Sequence, residues 1–201
     1  MKLKKVFSCL CSVLLLSALS LQAFAKTNEQ ALTLSPVSLE EYPLYQKEDR
    51  SASAYIVMEA TTGRVLYGKN IHERLAMAST TKIIGALMVL EQENLDEYFM
   101  VDSDAIQVEG SSMGLTEGDL VSLYSLACGM MLPSGNDAAN AAGVRLYGSI
   151  DGFVEAMNQK AEEIGCVSTH FVTPNGLDDP EHYTTAKELC IIAAYAIQNK
   201  E

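Results

Sequence analysis

The chain has 201 residues, with 26 acidic side chains against 14 basic ones and a net charge of −12 at neutral pH. So acidic a surface excludes a binder of phosphate backbones, which needs a basic face. No Cys/His cluster has metal-ligand spacing, so no metal site is expected.

Lys2, Lys4 and Lys5 precede an apolar run from Val6 to Leu21, and Ala23-Phe24-Ala25 offers the small residues a signal peptidase reads. The run is short for a membrane span, so residues 1–25 are expected to be a removed signal peptide. Three of the fourteen basic residues lie there, which leaves 11 bases against 26 acids, a net of −15, on the remaining 176 residues. That length suffices for one domain with a real core. Residues 26–53 mix acids with Pro36 and Pro43 and show no periodicity, which predicts a mature leader lying over the surface or partly disordered.

A hairpin follows: Ala54 to Glu59 alternates, Thr61-Thr62-Gly63 turns, and Arg64 to Tyr67 returns. In "STTKIIGALMVLEQEN" the residues Ile83, Ile84, Leu87 and Leu90 recur at helical spacing. Residues 101–118 are polar and glycine-dotted, a loop or short edge strand. "TEGDLVSLYSLACGMML" predicts a helix started by Thr116 and Asp119 and stopped by Pro133. "NDAANAAGVRLYG" predicts a small-residue helix. "SIDGFVEAMNQKAEEIG" predicts an amphipathic one, capped by Ser149 or Asp151 and ended by Gly165. Pro174-Asn175-Gly176 is a turn signal, and a last helix is expected from about 185 to 200. Cys128, Cys166 and Cys190 sit in apolar helical contexts and read as small buried hydrophobes, not as a disulfide framework. His72, His170 and His182 are far apart and read as surface or turn residues. One hairpin followed by helices is an unstable balance, because two strands alone are marginal in water. The last residues, "QNKE", also lack a helix stop signal. The fold is therefore expected to continue beyond residue 201.

Chemistry concentrates in two stretches. Ser79 begins the first helix and Lys82 lies three residues on, so both side chains share a helix face. The positive helix end disfavours an ammonium there, and burial does so further. A neutral lysine can take the proton of a serine and make it a nucleophile, and helix-end N–H groups can supply part of an oxyanion hole. A Ser-x-x-Lys alone carries little weight, since composition makes one turn up about once in a chain this long. The second stretch, "MLPSGNDAAN", sets Ser134 and Asn136 in a tight turn 55 residues after Ser79. A hydroxyl and a carboxamide there could relay a proton and hold an amide, although both are also common helix caps.

With "TTGRVLYGKN", "MASTTKI", "LTEGDLVSLYSLACGMMLPSGNDAA", "FVTPNGLDD" and "HYTTAKEL" in this order, the chain resembles the low-molecular-mass penicillin-binding proteins. These are the serine-type D-alanyl-D-alanine carboxypeptidases, peptidase family S11. The resemblance spans about residues 52–201. It implies an α/β (α+β) fold of β-lactamase/transpeptidase type, a helical cluster packed on an antiparallel sheet. Only the N-terminal hairpin of that sheet would fall within this chain, as an incomplete catalytic domain over 54–201. It further implies that Ser79 is the acylated nucleophile, Lys82 its general base, Ser134 the proton relay and Asn136 a substrate-binding residue. The substrates would be peptidoglycan stem peptides ending in D-Ala-D-Ala. β-Lactams would act as covalent inhibitors, and no cofactor or metal is implied. The location would be extracytoplasmic, in the cell wall or at the outer face of the membrane, with a C-terminal membrane anchor outside these residues left open.

Two departures stand out. Met77 replaces the proline usual before the first motif. The family's Lys-Thr-Gly strand is missing: after Asn136 the lysines are Lys160, Lys187 and Lys200, none followed by Thr-Gly or Ser-Gly. The expectation is an N-terminal portion of such an enzyme, inactive by itself. A class A β-lactamase would carry a glutamate in an E-x-x-L-N setting after Asn136, which is absent. A DD-endopeptidase of the same fold would differ in the shape of its groove, and a non-catalytic cell-wall-binding remnant would fit the missing third motif.

Overall fold

The computed structural model describes residues 51–200. The expected signal peptide, and all but the last three residues of the expected leader, lie outside it. Strand β1 (Tyr55–Met58) pairs antiparallel with β2 (Val65–Lys69), with Tyr55 opposite Lys69 and a bulge at Val57/Met58. Between them the Glu59 carboxylate accepts the Thr61 and Thr62 N–H groups and the Thr62 hydroxyl, and Gly63 turns the chain at φ 70°. The hairpin is the one expected.

A 3-10 turn, Ala78–Thr81, runs directly into helix α1 (Lys82–Leu90). Apolar residues cover more than one side of α1, which makes it a central helix and not the one-stripe helix that the Ile83, Ile84, Leu87, Leu90 spacing suggests. Ala86 and Val89 join one cluster with Val121, Leu126, Met130 and Ala138. Ile84 and Met88 join another with Phe153, Met157, Phe171 and Ile192. A helix between two cores is held from both sides, so whatever sits at its start is rigidly placed.

The next segment departs from expectation. Tyr98–Met100 (β3) and Leu120–Ser122 (β4) form a second antiparallel pair, with Phe99 opposite Val121. The Thr116/Asp119 signal is a turn, in which Asp119 accepts the Thr116 N–H at 2.8 Å and the hydroxyl at 3.0 Å. Helix α2 (Leu123–Met131) starts later, capped by Ser122, whose hydroxyl accepts the Ser125 N–H while Ser125 returns the bond. A carboxylate three residues after a threonine satisfies a turn as well as a helix end. The β-branched Val121, buried in the core, then favours the strand.

Helix α3 (Asn136–Tyr147) is built of small residues, so its neighbours approach closely. A Cβ at Gly143 would lie 2.5 Å from the Phe153 ring, which sets the packing of α4 (Ile150–Glu163). Ser149 caps α4, and Gly165 at φ 89° follows its end. Helix α5 (Ala186–Ala196) is capped by Thr185 and stops short of the expected end. Its first turn holds Glu188, whose carboxylate accepts the Ser168 N–H at 2.9 Å and the Thr169 hydroxyl at 2.6 Å. Cys128, Cys166 and Cys190 are all free, and burial together with the Glu188 charge pushes the Cys166 thiol up to about 12. No helix among the described residues is long and apolar enough to cross a membrane.

Candidate active site

Three elements converge at the start of α1. The 3-10 turn carries Ser79, the first residue of α1 is Lys82, and the tight turn before α3 carries Ser134. Lys82 is only 1% exposed, yet no carboxylate of the described residues lies within ion-pair distance. Burial pulls its amine below the ordinary lysine range. Its Nζ stands 3.1 Å from Ser79 Oγ, 3.4 Å from Ser134 Oγ and 2.7 Å from the Asn175 carbonyl oxygen. The carbonyl can only accept, so it claims one amine hydrogen. A neutral amine then has one more hydrogen for Ser134 and a lone pair for the Ser79 hydroxyl. Ser79 is exposed and Ser134 half-buried, so the cluster opens to solvent at Ser79.

Backbone strain marks both serines. Ala78, just before Ser79, has φ 45°, and Ser134 itself has φ 61°. Non-glycine residues hold such angles at a cost of about 1 kcal/mol or more, and only where the surroundings enforce them. Gly176 is one such enforcer. It sits at φ 86°, and a Cβ there would come within 2.0 Å of the Ala78 carbonyl oxygen. The loop that supplies the Asn175 carbonyl is therefore pressed against the turn that supplies Ser79.

Asn136 behaves differently from the other three expected residues. It is 4% exposed, and its Nδ2 donates to the Glu109 carbonyl at 2.7 Å while its own N–H donates to Ser111. It holds the 109–111 segment beside the site and makes no bond to Lys82 or Ser79. Asp137 extends this role. It accepts from the Ser112 hydroxyl at 2.6 Å and from the N–H groups of Met113, Gly114, Leu115 and Ala138 at 2.9–3.0 Å. Burial pushes its carboxyl up, but the Ser112 hydroxyl and the N–H donors outweigh that and hold it below its ordinary value.

Two contributors escape the sequence reading. Asn175 acts through its backbone carbonyl, and its side chain is pinned between Asn140 Oδ1 at 3.2 Å and the Leu177 N–H at 3.1 Å. The Pro-Asn-Gly turn was the available signal, but it does not say where the carbonyl points. His182, expected at the surface or in a turn, is instead buried, with both ring nitrogens engaged. Among the described residues no group of three His, Cys, Asp or Glu side chains could hold a metal.

A sequence profile described as D-alanyl-D-alanine carboxypeptidase, peptidase S11, matches residues 42–201. The chain belongs to the D-alanyl-D-alanine carboxypeptidase family. The match begins inside the stretch expected to be a leader. The chain is 37% identical over 147 residues to the D-alanyl-D-alanine carboxypeptidase DacF of Bacillus subtilis, covering 71% of this chain and 38% of that protein. It is 35% identical over 153 residues to DacB2 of Mycobacterium tuberculosis, covering 75% and 52%. The crystal structure of a D-alanyl-D-alanine carboxypeptidase from Mycobacterium tuberculosis superposes with a TM-score of 0.74 at 34% identity, over 79% of this chain and 60% of that one. The chain thus spans less than two thirds of the length of these relatives. Within that span the fold is that of the D-alanyl-D-alanine carboxypeptidases, an α+β arrangement of a helical cluster with small antiparallel sheets.

Proposed function

We propose that this protein is a serine D-Ala-D-Ala carboxypeptidase that removes the terminal D-alanine from peptidoglycan stem peptides through an acyl-enzyme on Ser79. One observation carries the reading: an unpaired lysine, 1% exposed, stands 3.1 Å from an exposed serine hydroxyl. Burial without an anion favours the neutral amine, which is the form a general base needs.

In this mechanism Ser79 Oγ attacks the carbonyl of the penultimate D-alanine, and its proton passes to Lys82 Nζ. The tetrahedral oxyanion forms beside the Ser79 N–H at the open start of the 3-10 turn, a position that precedes the first hydrogen bond of that turn, from the Thr80 N–H to the Met77 carbonyl. Collapse breaks the C–N bond. The leaving nitrogen takes a proton from the Ser134 hydroxyl, which Lys82 refills, and D-alanine departs. Water, deprotonated by Lys82, then attacks the ester and frees Ser79. The sum is one peptide bond and one water consumed, with two carboxyl-ended products. Asn136 Nδ2 keeps a second N–H beyond the one given to Glu109, and we assign that donor to the substrate backbone. β-Lactams present a carbonyl to the same hydroxyl and acylate it. The basic, apolar N-terminal run supports export, with the reaction outside the cytoplasm.

The test is covalent labelling of the intact protein with a fluorescent penicillin, alongside release of D-alanine from a stem pentapeptide. Wild type should label one to one and release D-alanine, and Ser79→Ala should do neither. A Ser79→Ala protein that still carries the label after denaturing electrophoresis ends this reading.

A further inference from the structure

Acyl transfer as described leaves several buried titratable groups unused, His182 among them. His182 is 3% exposed and lies between the 3-10 turn and the 172–176 loop. Its Nδ1 accepts the Val172 N–H at 3.0 Å. A backbone N–H can only donate, so in the neutral ring the hydrogen is on Nε2. That Nε2 donates to Thr81 Oγ1 at 2.8 Å. Phe171 packs edge-on against the imidazole at a centroid distance of 5.8 Å and closes it off. Thr81 is itself 1% exposed and immediately precedes Lys82.

Each of the two segments that His182 joins carries part of the reacting cluster. On one side are Ser79 and Lys82. On the other is the Asn175 carbonyl, 2.7 Å from Lys82 Nζ. The same segments meet where Gly176 abuts the strained Ala78, and that strain needs a clamp to persist. Hydrogen bonds fail beyond about 3.5 Å. A slip of ~1 Å between turn and loop would therefore take Lys82 out of range of either Ser79 or Asn175, and a misplacement of that size can cost a reaction ~100-fold.

We propose that His182 is a positioning residue for acylation, whose Nε2–H bond to Thr81 locks the nucleophile's turn to the loop that orients Lys82. This rests on Ser79 being the acylated residue. Two substitutions divide the imidazole's bonds. His182→Gln keeps a donor that reaches Thr81 and gives up the Val172 acceptor. His182→Asn keeps an acceptor for Val172 and gives up the Thr81 donor. Thr81→Val removes the hydroxyl from the other end, and Thr81→Ser keeps it.

The experiment measures, on the intact protein, the first-order acylation rate at saturating fluorescent penicillin, the half-saturating concentration and the rate of deacylation. For Thr81→Ser we expect acylation within about twofold of wild type. For His182→Asn, His182→Gln and Thr81→Val, each of which cuts one arm of the clamp, we expect about a tenfold fall, with half-saturation and deacylation unchanged. The double variant His182→Asn/Thr81→Val should be no slower than either single one, as for two ends of one bond. A His182→Asn protein that acylates at the wild-type rate overturns the proposal. So does a Gln variant that acylates at the wild-type rate, or a double variant whose losses multiply. Should the His182 variants fail to fold, the Thr81 pair decides alone: Val as fast as Ser refutes the clamp. Ser79→Ala runs beside them, and label on that protein would fail the acyl-enzyme reading instead.

Discussion

Lys82 and Asp137 occupy equivalent places and receive opposite treatment. Each lies in the first turn of a helix, and each is 1% exposed. Around Asp137 the fold gathers five donors, and the positive helix end adds to them. Around Lys82 it offers two hydroxyls and a carbonyl, no carboxylate, and the wrong end of a helix. The anion is buried so as to stay charged. The cation is buried so as to lose its charge. One solution builds a wall of the site and the other the base proposed for it, and the difference lies in what surrounds each group, not in how deep it is.

The largest effect that tests this contrast is Lys82→Met. Without its base, penicillin acylation should fall about 10³-fold, within the usual range for a general base. Stability should move the other way and rise by about 1 kcal/mol, because an amine that must shed its proton to be buried gives way to an apolar side chain of similar shape. The sign with pH follows from the lowered folded pKa. Between the folded value and the free-lysine value of about 10.4 the unfolded chain binds more protons, so wild-type stability gains on the variant as pH rises through that window. Denaturant unfolding across the alkaline range, with labelling at neutral pH, measures both. A variant less stable than wild type would mean that Lys82 is buried as a charged strut after all.

Asp137→Asn comes next. The amide turns donors toward donors, so stability should drop by about 3 kcal/mol at pH 7, and labelling should slow as the 109–115 segment loosens beside Ser134. The carboxyl of Asp137 is held below its ordinary value. Its contribution is therefore fully present above about pH 3.9 and disappears as pH falls through the folded value. The gap between wild type and variant should be wide at pH 7 and close in acid. Unfolding curves at several acidic pH values test it, and a gap that holds constant down to the lowest pH would show that the charge of Asp137 is irrelevant.

How much of this contrast the sequence announces depends on whether a side chain or a backbone atom does the work. Ser79, Lys82 and Ser134 are legible because a hydroxyl and an amine three residues apart must share one helical face, and a Pro-Ser-Gly turn must break a helix. The first hairpin, α3 and α4 follow equally well from alternation, small-residue spacing and caps. Asn175 is illegible, since every residue has a carbonyl and only tertiary folding aims this one at Lys82. His182 reads as a turn residue because its partners, Thr81 and the Val172 N–H, lie 101 and 10 residues away. The β3–β4 pair is hidden because Asp119 after Thr116 satisfies a turn in the pattern that would open a helix. Asp137 has no signal of its own beyond being an acid near a helix start, where acids are common for many reasons.

The smallest effect concerns a lysine that the fold treats in neither way. Lys160 on α4 meets Glu91, just past the end of α1, at 2.7 Å, with side chains 16% and 31% exposed. Burial pulls Lys160 down, but the hydrogen bonds to Glu91 and Tyr195 outweigh it and its pKa is raised. Its pH dependence must then run opposite to that of Lys82: the stabilisation is present below the free-lysine value and is lost as pH rises through the folded one. Lys160→Met should cost about 0.5 kcal/mol at low salt, nearly nothing in 1 M salt where screening acts within about 3 Å, and leave penicillin labelling untouched. Unfolding of this variant beside Lys82→Met, over one alkaline titration and two salt concentrations, sets two lysines of one protein against each other. Opposite slopes would tie the chemistry of Lys82 to its missing anion. Equal slopes would mean that burial without a carboxylate does not distinguish a base from an ordinary ion pair.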